Sequence, residues 1–461
     1  MAWTRRVLAI CAALLALLGL LTLASPARAQ TTLTERLRVQ GVYSTQTGTV
    51  PPQDIAGQVV PELSLLDVSK RSQLRATYTF AATVHTTLPA DLANRLVLTS
   101  AFDLSKRTSF LLSAEAGHTT VTNSLVLGSP ANAPAGGVPL AIGQLFTSRA
   151  GEGVSWEASP RMRFTQLADA TYITTINAPP ALSVEAYLAN VVLSLDRAWP
   201  TDAVGIDLRG GYAVSHVAPL PTSRLIPLAL TPHWRHDISR TLTSLFVAGA
   251  TVVVSPDPDS KTLAGPYSQA TFSYLLDDST FDLTGSVGTT ANAITAQLLY
   301  ADQVTFRTTT ALSLEHHVTG SAGLGYTHGS VIELRRNVVA QPDFDAFIAD
   351  VGVTWAPTTA VDLFARYQFV DQLTAAQAGQ ATPPALQRNA VIIGIQLSAR
   401  PDPVRVPTRF PQRVDRGDAA VGTSSGAAPP SSSSGGSSGG GSSGSGGGSS
   451  GSDGASSGSG N

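Results

Sequence analysis

The chain has 461 residues, of which 43% are hydrophobic and 13% charged, and its formal net charge is −2. Lysine occurs three times, at Lys70, Lys106 and Lys261. A protein that binds nucleic acid needs a basic surface to release phosphate counterions, so nucleic acid is excluded as a partner. Thr, Val, Ser and Gly outnumber Lys, Glu and Gln, which disfavours long helices.

Residues 1–29 have the pattern of a cleavable export signal. Arg5 and Arg6 precede an apolar run from Val7 to Ala24, and Ala27-Arg28-Ala29 provides the small residues of a cleavage site. An uncleaved membrane anchor is the alternative interpretation, which the cleavage site disfavours. The single cysteine, Cys11, lies within this segment. The exported chain is therefore predicted to lack disulfides, thiol catalysis and Cys-based metal sites.

Residues 30–400 alternate between apolar and polar side chains with a period of two. In one segment Leu74, Tyr78 and Phe80 share a face, whereas Arg75 and Thr77 share the other. This pattern is typical of a strand with one apolar and one wet face. A soluble antiparallel sheet produces the same pattern, so the connections between strands have to distinguish the two.

Short and long connections alternate along the chain. Short turns are predicted at residues 67–71, 103–107, 167–168, 199–201, 237–240, 277–279, 317–318 and 356–358. Longer connections are predicted at 46–56, 86–92, 122–150, 178–182, 218–222, 255–265, 291–292, 332–342 and 371–387. Outer-membrane barrels combine tight periplasmic turns with longer extracellular loops. The sequence therefore predicts an all-β, antiparallel, up-and-down transmembrane barrel of about 18 strands (16–18), because only closure satisfies every backbone group in lipid.

Two local features recur at the short turns. An Asp-x-Ser motif followed by basic residues occurs at Asp67, Asp103 and Asp237, and we interpret it as turn chemistry, because Asp and Ser side chains bond back to the backbone. Aromatic residues cluster beside the same turns, which favours an interfacial girdle over scattered core aromatics; they are Phe102, Phe110, Trp199, Trp234, Tyr274, Phe281 and Trp355.

The residue types that carry catalysis or bind metals are present but not assembled. His233 and His236 are separated by three positions, and His316 and His317 are adjacent. Either spacing places the two imidazoles on opposite faces of a strand, so no metal site and no cofactor are expected. No Gly-x-Ser-x-Gly motif occurs within residues 30–400, and the chain is predicted not to be an enzyme.

Charged and polar side chains on the polar strand faces are the candidate pore-lining residues, because such groups are costly on a lipid-facing surface. They are Arg75, His85, Glu115, Asp207, Arg209, Asp282, Glu315, Asp350, Asp362, Arg366 and Gln396. Both signs of charge occur, so ion selectivity is not predicted. A barrel of this width leaves an aqueous channel, and the connection at 122–150 is the candidate for a loop that folds inward and narrows it.

The alternation stops after residue 400, so four regions are predicted. Residues 1–29 form the signal, 30–400 the barrel, 401–430 a periplasmic linker containing Pro and Arg, and 431–461 a disordered tail of Ser and Gly. Because an even number of strands places both ends of the barrel on the side of the short periplasmic turns, the linker and the tail are predicted to lie in the periplasm.

The signal, turn motifs and aromatic-flanked hairpins resemble those of bacterial outer-membrane β-barrels of the porin-like class. More narrowly, the closing segment Arg388 to Ile395 is similar to that of barrels associated with exopolysaccharide export. The broad resemblance implies residence in the outer membrane, with its lipids and the barrel assembly machinery as partners, and passive passage of polar solutes. The narrow one implies export of a polysaccharide chain delivered by a periplasmic export protein. A lipid-acting barrel enzyme and a soluble, adhesive secreted β-protein are the alternatives.

Overall fold

The computed structural model describes residues 30–46, 53–87, 90–120, 144–176, 183–217, 222–257, 260–291, 298–313, 315, 317–332, 334, 343–374 and 386–399. Several predicted regions lie outside these residues: the signal at 1–29, residues 122–143 of the candidate inward loop, the linker at 401–430 and the tail at 431–461.

Eighteen strands make up the described chain. They are β1 (Gln30–Gln46), β2 (Gln53–Val68), β3 (Ser72–His85), β4 (Asp91–Asp103), β5 (Thr108–Thr120), β6 (Gln144–Ser159), β7 (Met162–Ile176), β8 (Val184–Ala198), β9 (Asp202–Val217), β10 (Ser223–Asp237), β11 (Leu242–Val254), β12 (Leu263–Leu276), β13 (Ser279–Ala291), β14 (Leu298–Ser313), β15 (Val318–Val331), β16 (Phe344–Thr358), β17 (Val361–Thr374) and β18 (Leu386–Ser398). Within the described residues, no helix is both long and apolar enough to cross a membrane.

The strands form a single closed sheet. Each strand pairs antiparallel with its neighbours in the chain, and β1 closes the ring by pairing with β18 from Arg36↔Ser398 to Gln46↔Arg388. A closed ring has no strand edge with unpaired N–H and C=O groups. The predicted fold, an all-β antiparallel up-and-down barrel of about 18 strands, is confirmed.

Connections differ between the two ends of the barrel. At one end the strands are joined by two to four residues, as between Ser159 and Met162 or between Thr358 and Val361. At the other end the connections have five or more residues, the longest being 121–143. Both Gln30 and Ser398 lie at the short-turn end, so the predicted alternation and the parity of the strands are confirmed.

Three predicted boundaries are wrong. The turn expected at Leu167–Ala168 lies at residues 160–161, and Leu167 lies in the middle of β7. The long connection predicted at 122–150 ends before Gln144, where β6 begins. The long connection predicted at 371–387 lies between Thr374, where β17 ends, and Leu386, where β18 begins. The first error has a physical cause: the middle of the outward face of β6 and β7 carries Glu152, Gln166, Ala168 and Ala170, so the period-two pattern is weak there.

The recurring Ser in the turn motif has a structural role, as predicted. Ser69 Oγ accepts hydrogen bonds from the backbone N–H groups of Arg71 and Ser72, at 3.4 and 3.0 Å. Ser239 Oγ accepts the equivalent bonds from Thr241 and Leu242, at 3.2 and 3.0 Å. These hydroxyls satisfy N–H groups that the tight turns leave outside the strand ladder.

The faces of the strands are inverted relative to a soluble protein. On β9, Ile206 and Leu208 are 43% and 53% exposed, whereas the alternating residues Asp207 and Arg209 are 7% and 3% exposed. Large apolar side chains are exposed in the same way on many other strands, among them Val39, Val59, Tyr78, Val191, Leu230, Leu283, Leu324, Val351 and Ile393. The apolar face therefore lies outside the barrel and the polar face lines its interior.

Aromatic side chains occur on the outer surface near the short turns, where the sequence predicts them. Trp199, Trp234 and Trp355 are all at least 40% exposed. Trp234 stacks on Phe246 with ring centroids 5.9 Å apart, and its Nε1 donates to Asp202 Oδ1 at 3.0 Å. An aromatic ring with an apolar body and one polar contact suits a boundary between apolar and aqueous surroundings.

Candidate functional site in the barrel interior

Ten of the eleven candidate pore-lining residues occupy inward-facing strand positions. They are Arg75, His85, Glu115, Asp207, Arg209, Asp282, Asp350, Asp362, Arg366 and Gln396. Glu315 is the exception, because it is an exposed residue of the turn between β14 and β15. Its expected place on a polar strand face is wrong, since β14 ends at Ser313, before Glu315 is reached.

Most inward-facing arginines are paired with a carboxylate of the same or a neighbouring strand. Five such pairs are Arg36–Glu62 at 3.3 Å, Arg95–Glu115 at 2.7 Å, Arg149–Asp169 at 3.7 Å, Arg209–Asp207 at 3.1 Å and Arg366–Asp350 at 3.0 Å. Pairing compensates the charge of each group wherever its side chain is shielded from water. The interior is therefore charged but locally neutral.

One group of interior side chains is nearly sealed from solvent. We call Asp196, Asp207, Arg209, His233 and Tyr267 the occluded cluster, and all five are at most 9% exposed. His233 Nε2 lies 2.7 Å from Asp196 Oδ1, and His233 Nδ1 lies 3.5 Å from Asp207 Oδ1. The Arg209 guanidinium lies 5.4 Å from the centroid of the Tyr267 ring.

The occluded cluster is not arranged as a catalytic triad. Both ring nitrogens of His233 face carboxylates, so neither nitrogen is directed at a hydroxyl group that it could deprotonate. His236 lies on the outer face and contacts Asp202 at 2.9 Å, which confirms that the two histidines point to opposite faces. Among the described residues, no three His, Asp or Glu side chains converge as a metal site would require.

A second network spans the seam where the barrel closes. Arg38 Nη2 of β1 donates to Gln396 Oε1 of β18 at 3.0 Å, and Gln396 Nε2 donates to Asp362 Oδ2 of β17 at 3.1 Å. The Arg38 guanidinium also lies 5.8 Å from the centroid of the Phe364 ring. A single amide thus connects a cation and an anion across three strands.

Apolar side chains close part of the interior at the long-connection end. Leu188, Ala213, Leu225 and Val253 pack there with Ile332 and Leu334 of the connection after β15, together with Leu145, Ile173, Ala186 and Leu298. The backbone N–H of Lys261 donates to the carbonyl oxygen of Leu334 at 2.7 Å. This apolar cap lies against the inner wall of β6 to β11 at the long-connection end only, so Ile332 and Leu334 narrow the barrel there.

Sequence reasoning missed several interior charges, namely Arg36, Arg38, Glu62, Arg95, Arg149, Asp169, Asp196 and His233. The parity of each strand could have identified Arg36, Arg38 and Glu62, because each alternates with exposed apolar neighbours such as Leu37 and Leu63. Arg149 and Asp169 were out of reach because β6 and β7 were assigned wrong boundaries.

Comparisons with known proteins give similarity at the level of overall shape. No family model matches the sequence, and no curated protein matches it. Three crystal structures from Pseudomonas aeruginosa each cover 80% of this chain. They are OccK5 (OpdH), with a TM-score of 0.41, 11% identity and 98% of its own chain covered; OccK9 (OpdG), with 0.43, 10% and 98%; and OprD, with 0.40, 11% and 96%.

Proposed function

We propose that this protein is an outer-membrane pore through which small polar solutes pass passively. The observation that supports the proposal best is the inversion of the strand faces in a closed ring. A barrel with exposed Ile206 and Leu208 and with interior Asp207 and Arg209 suits a solvent that is apolar outside and aqueous inside. Closed 18-stranded barrels are wide enough to hold an aqueous channel.

The apolar outer surface disfavours a soluble adhesive protein. A soluble protein rarely exposes a contiguous apolar patch larger than a few hundred Å², whereas here large apolar side chains are exposed on every strand except β5. The alternative of a lipid-acting enzyme gains no support from His233, for the reason given above. The expectation of polysaccharide export stays a prediction, since no feature of the described interior favours a long chain over small solutes.

Two measurements test the proposal. The protein extracted from membranes should migrate faster on gels before boiling than after it, because a closed barrel resists detergent unfolding. Reconstituted liposomes should swell in isotonic solutions of small sugars, and the rate should fall as the sugar becomes larger. Recovery in the soluble fraction, or liposomes impermeable to the smallest sugar, would contradict a pore.

A further inference from the structure

Four charged side chains lie in a row across the inner wall of β4, β5, β6 and β7. We call Arg95, Glu115, Arg149 and Asp169 the charge row, in which cations and anions alternate. Arg95 Nε donates to Glu115 Oε1 at 2.7 Å, and Arg149 Nη2 lies 3.7 Å from Asp169 Oδ2. Glu115 and Arg149 are direct register partners on β5 and β6, so the two ion pairs are adjacent on the wall.

The charge row is open to solvent, whereas the charged groups on β8–β10 are not. Side chains of the row are between 21% and 27% exposed. The corresponding values for Asp196, Asp207, Arg209 and His233 are between 3% and 12%. Water and dissolved solutes therefore reach the first set of charges and are held away from the second.

The wall beside the charge row carries small side chains. Ser113 and Gly117 of β5 and Gly151 and Gly153 of β6 face the interior at neighbouring register positions. Leu111 and Leu167 flank Gly153 on the same face, so the open part of this wall is the part at Ser113, Gly117 and Gly151. The apolar cap includes only Leu145 of β6 and Ile173 of β7 from this wall, both near the long-connection ends of their strands, and none from β4 or β5. The wall next to Arg95 and Glu115 therefore lies outside the cap.

We infer that solutes cross the barrel off-centre, along the inner face of β4–β7, and that the charge row determines which of them pass. This inference rests on the proposed pore function and assigns its selectivity to named residues. A row that alternates in sign attracts both ends of a polar solute while favouring neither cations nor anions overall. Asp169 Oδ2 has long contacts, at 3.7 Å to Arg149 and 3.5 Å to Asn190, so a passing cationic group can displace them.

Accessibility of single cysteines tests the route. Ser113→Cys places a thiol on the open wall of β5, whereas Thr231→Cys places one at a position with 0% exposure on β10. We expect a water-soluble cationic methanethiosulfonate to reduce the single-channel conductance of the Ser113→Cys protein and to leave that of Thr231→Cys unchanged. Ser148→Cys, whose side chain lies on the outer face of β6, is the matched control. Wild-type protein treated with the reagent controls for reaction at Cys11, the single native cysteine.

Charge neutralisation tests the selectivity. Glu115→Gln should lower the K⁺/Cl⁻ permeability ratio about threefold and Arg149→Gln should raise it about threefold, as expected for one unit charge close to a permeating ion in water. Glu185→Gln and Arg224→Gln make the same charge changes on the outer face and should leave the ratio unchanged. If the charge row were merely structural, the two interior neutralisations would lower the resistance to unfolding without moving the ratio.

The outcomes separate this inference from the proposed function. A wild-type protein that neither conducts ions nor admits sugars contradicts the pore itself. Two results would retain the pore but overturn the route. In the first, the protein conducts but the reagent modifies the Thr231→Cys variant rather than the Ser113→Cys variant. In the second, neither neutralisation changes the K⁺/Cl⁻ permeability ratio. Conductance lost on modification of Ser113→Cys, together with opposite shifts for the two neutralisations, supports both.

Discussion

His233 of β10 and Asp196 of β8 are joined across the intervening strand, with His233 Nε2 2.7 Å from Asp196 Oδ1. The residue between them on β9 is Gly205, which pairs with both. A Cβ at Gly205 would lie 2.7 Å from Asp196 Oδ1 and 2.6 Å from His233 Cε1. Only a residue without a side chain leaves room for this contact.

Gly205→Ala should therefore destabilise the barrel. The added methyl group forces apart a buried contact between polar groups, and we expect a loss of about 1–3 kcal/mol in the free energy of unfolding. The free energy of unfolding is measured by titrating the protein with guanidinium in detergent, with gel mobility as the readout of the folded fraction. Gly210→Ala on the same strand is the control, because its Cβ would meet only Leu228 Cδ2 at an ordinary 3.5 Å. Equal losses for both variants would contradict the role given to Gly205.

Gln396→Ala should weaken closure of the barrel. The substitution removes the amide that accepts from Arg38 and donates to Asp362 across the β1–β18 seam. We expect a loss of about 1–3 kcal/mol, because both hydrogen bonds involve charged groups. The temperature at which the fast-migrating gel band disappears provides the measurement. Gln303→Ala, at an inward position of β14, should lower that temperature less. A larger decrease for Gln303→Ala than for Gln396→Ala would contradict the role of Gln396 in closing the barrel.

Leu208→Arg should impair insertion into the membrane. Leu208 is 53% exposed on the outer face of β9, and an arginine facing lipid near the midplane costs about 2–4 kcal/mol. Folding yield into liposomes, scored by protection from protease, gives the readout. Gln303→Arg adds the same charge on an inward position and should insert normally. Insertion of both variants with equal yield would mean that Leu208 does not face lipid.

Tryptophan fluorescence should report the depth of the short-turn end. Trp156, Trp199, Trp234 and Trp355 all lie towards that end and are between 40% and 50% exposed. If they mark the lipid–water boundary, lipids brominated near the headgroup should quench their emission more than lipids brominated near the chain terminus. Stronger quenching by the deep label would place this end within the hydrocarbon instead.

Errors in the sequence interpretation have identifiable physical causes. Period-two alternation located most strands because a large apolar side chain occupies every second position, as at Val204, Ile206 and Leu208. The boundary between β6 and β7 was missed because their outward positions include Glu152 and Gln166, which do not contrast with a polar interior face. Glu315 was assigned to a strand because the turn was predicted at 317–318, whereas β14 already ends at Ser313.

The sequence by itself determined the strand-rich fold, the approximate number of strands and the polarity of most interior positions, because these depend on local alternation and on turn residues. Only the tertiary structure decided which charges meet, since Arg95 and Glu115 or Arg38 and Gln396 become partners through strand register. Exposure likewise depends on distant elements: Leu334, after β15, packs on the apolar cap of β6–β11. Identical side-chain types can therefore be open on one wall and sealed on another.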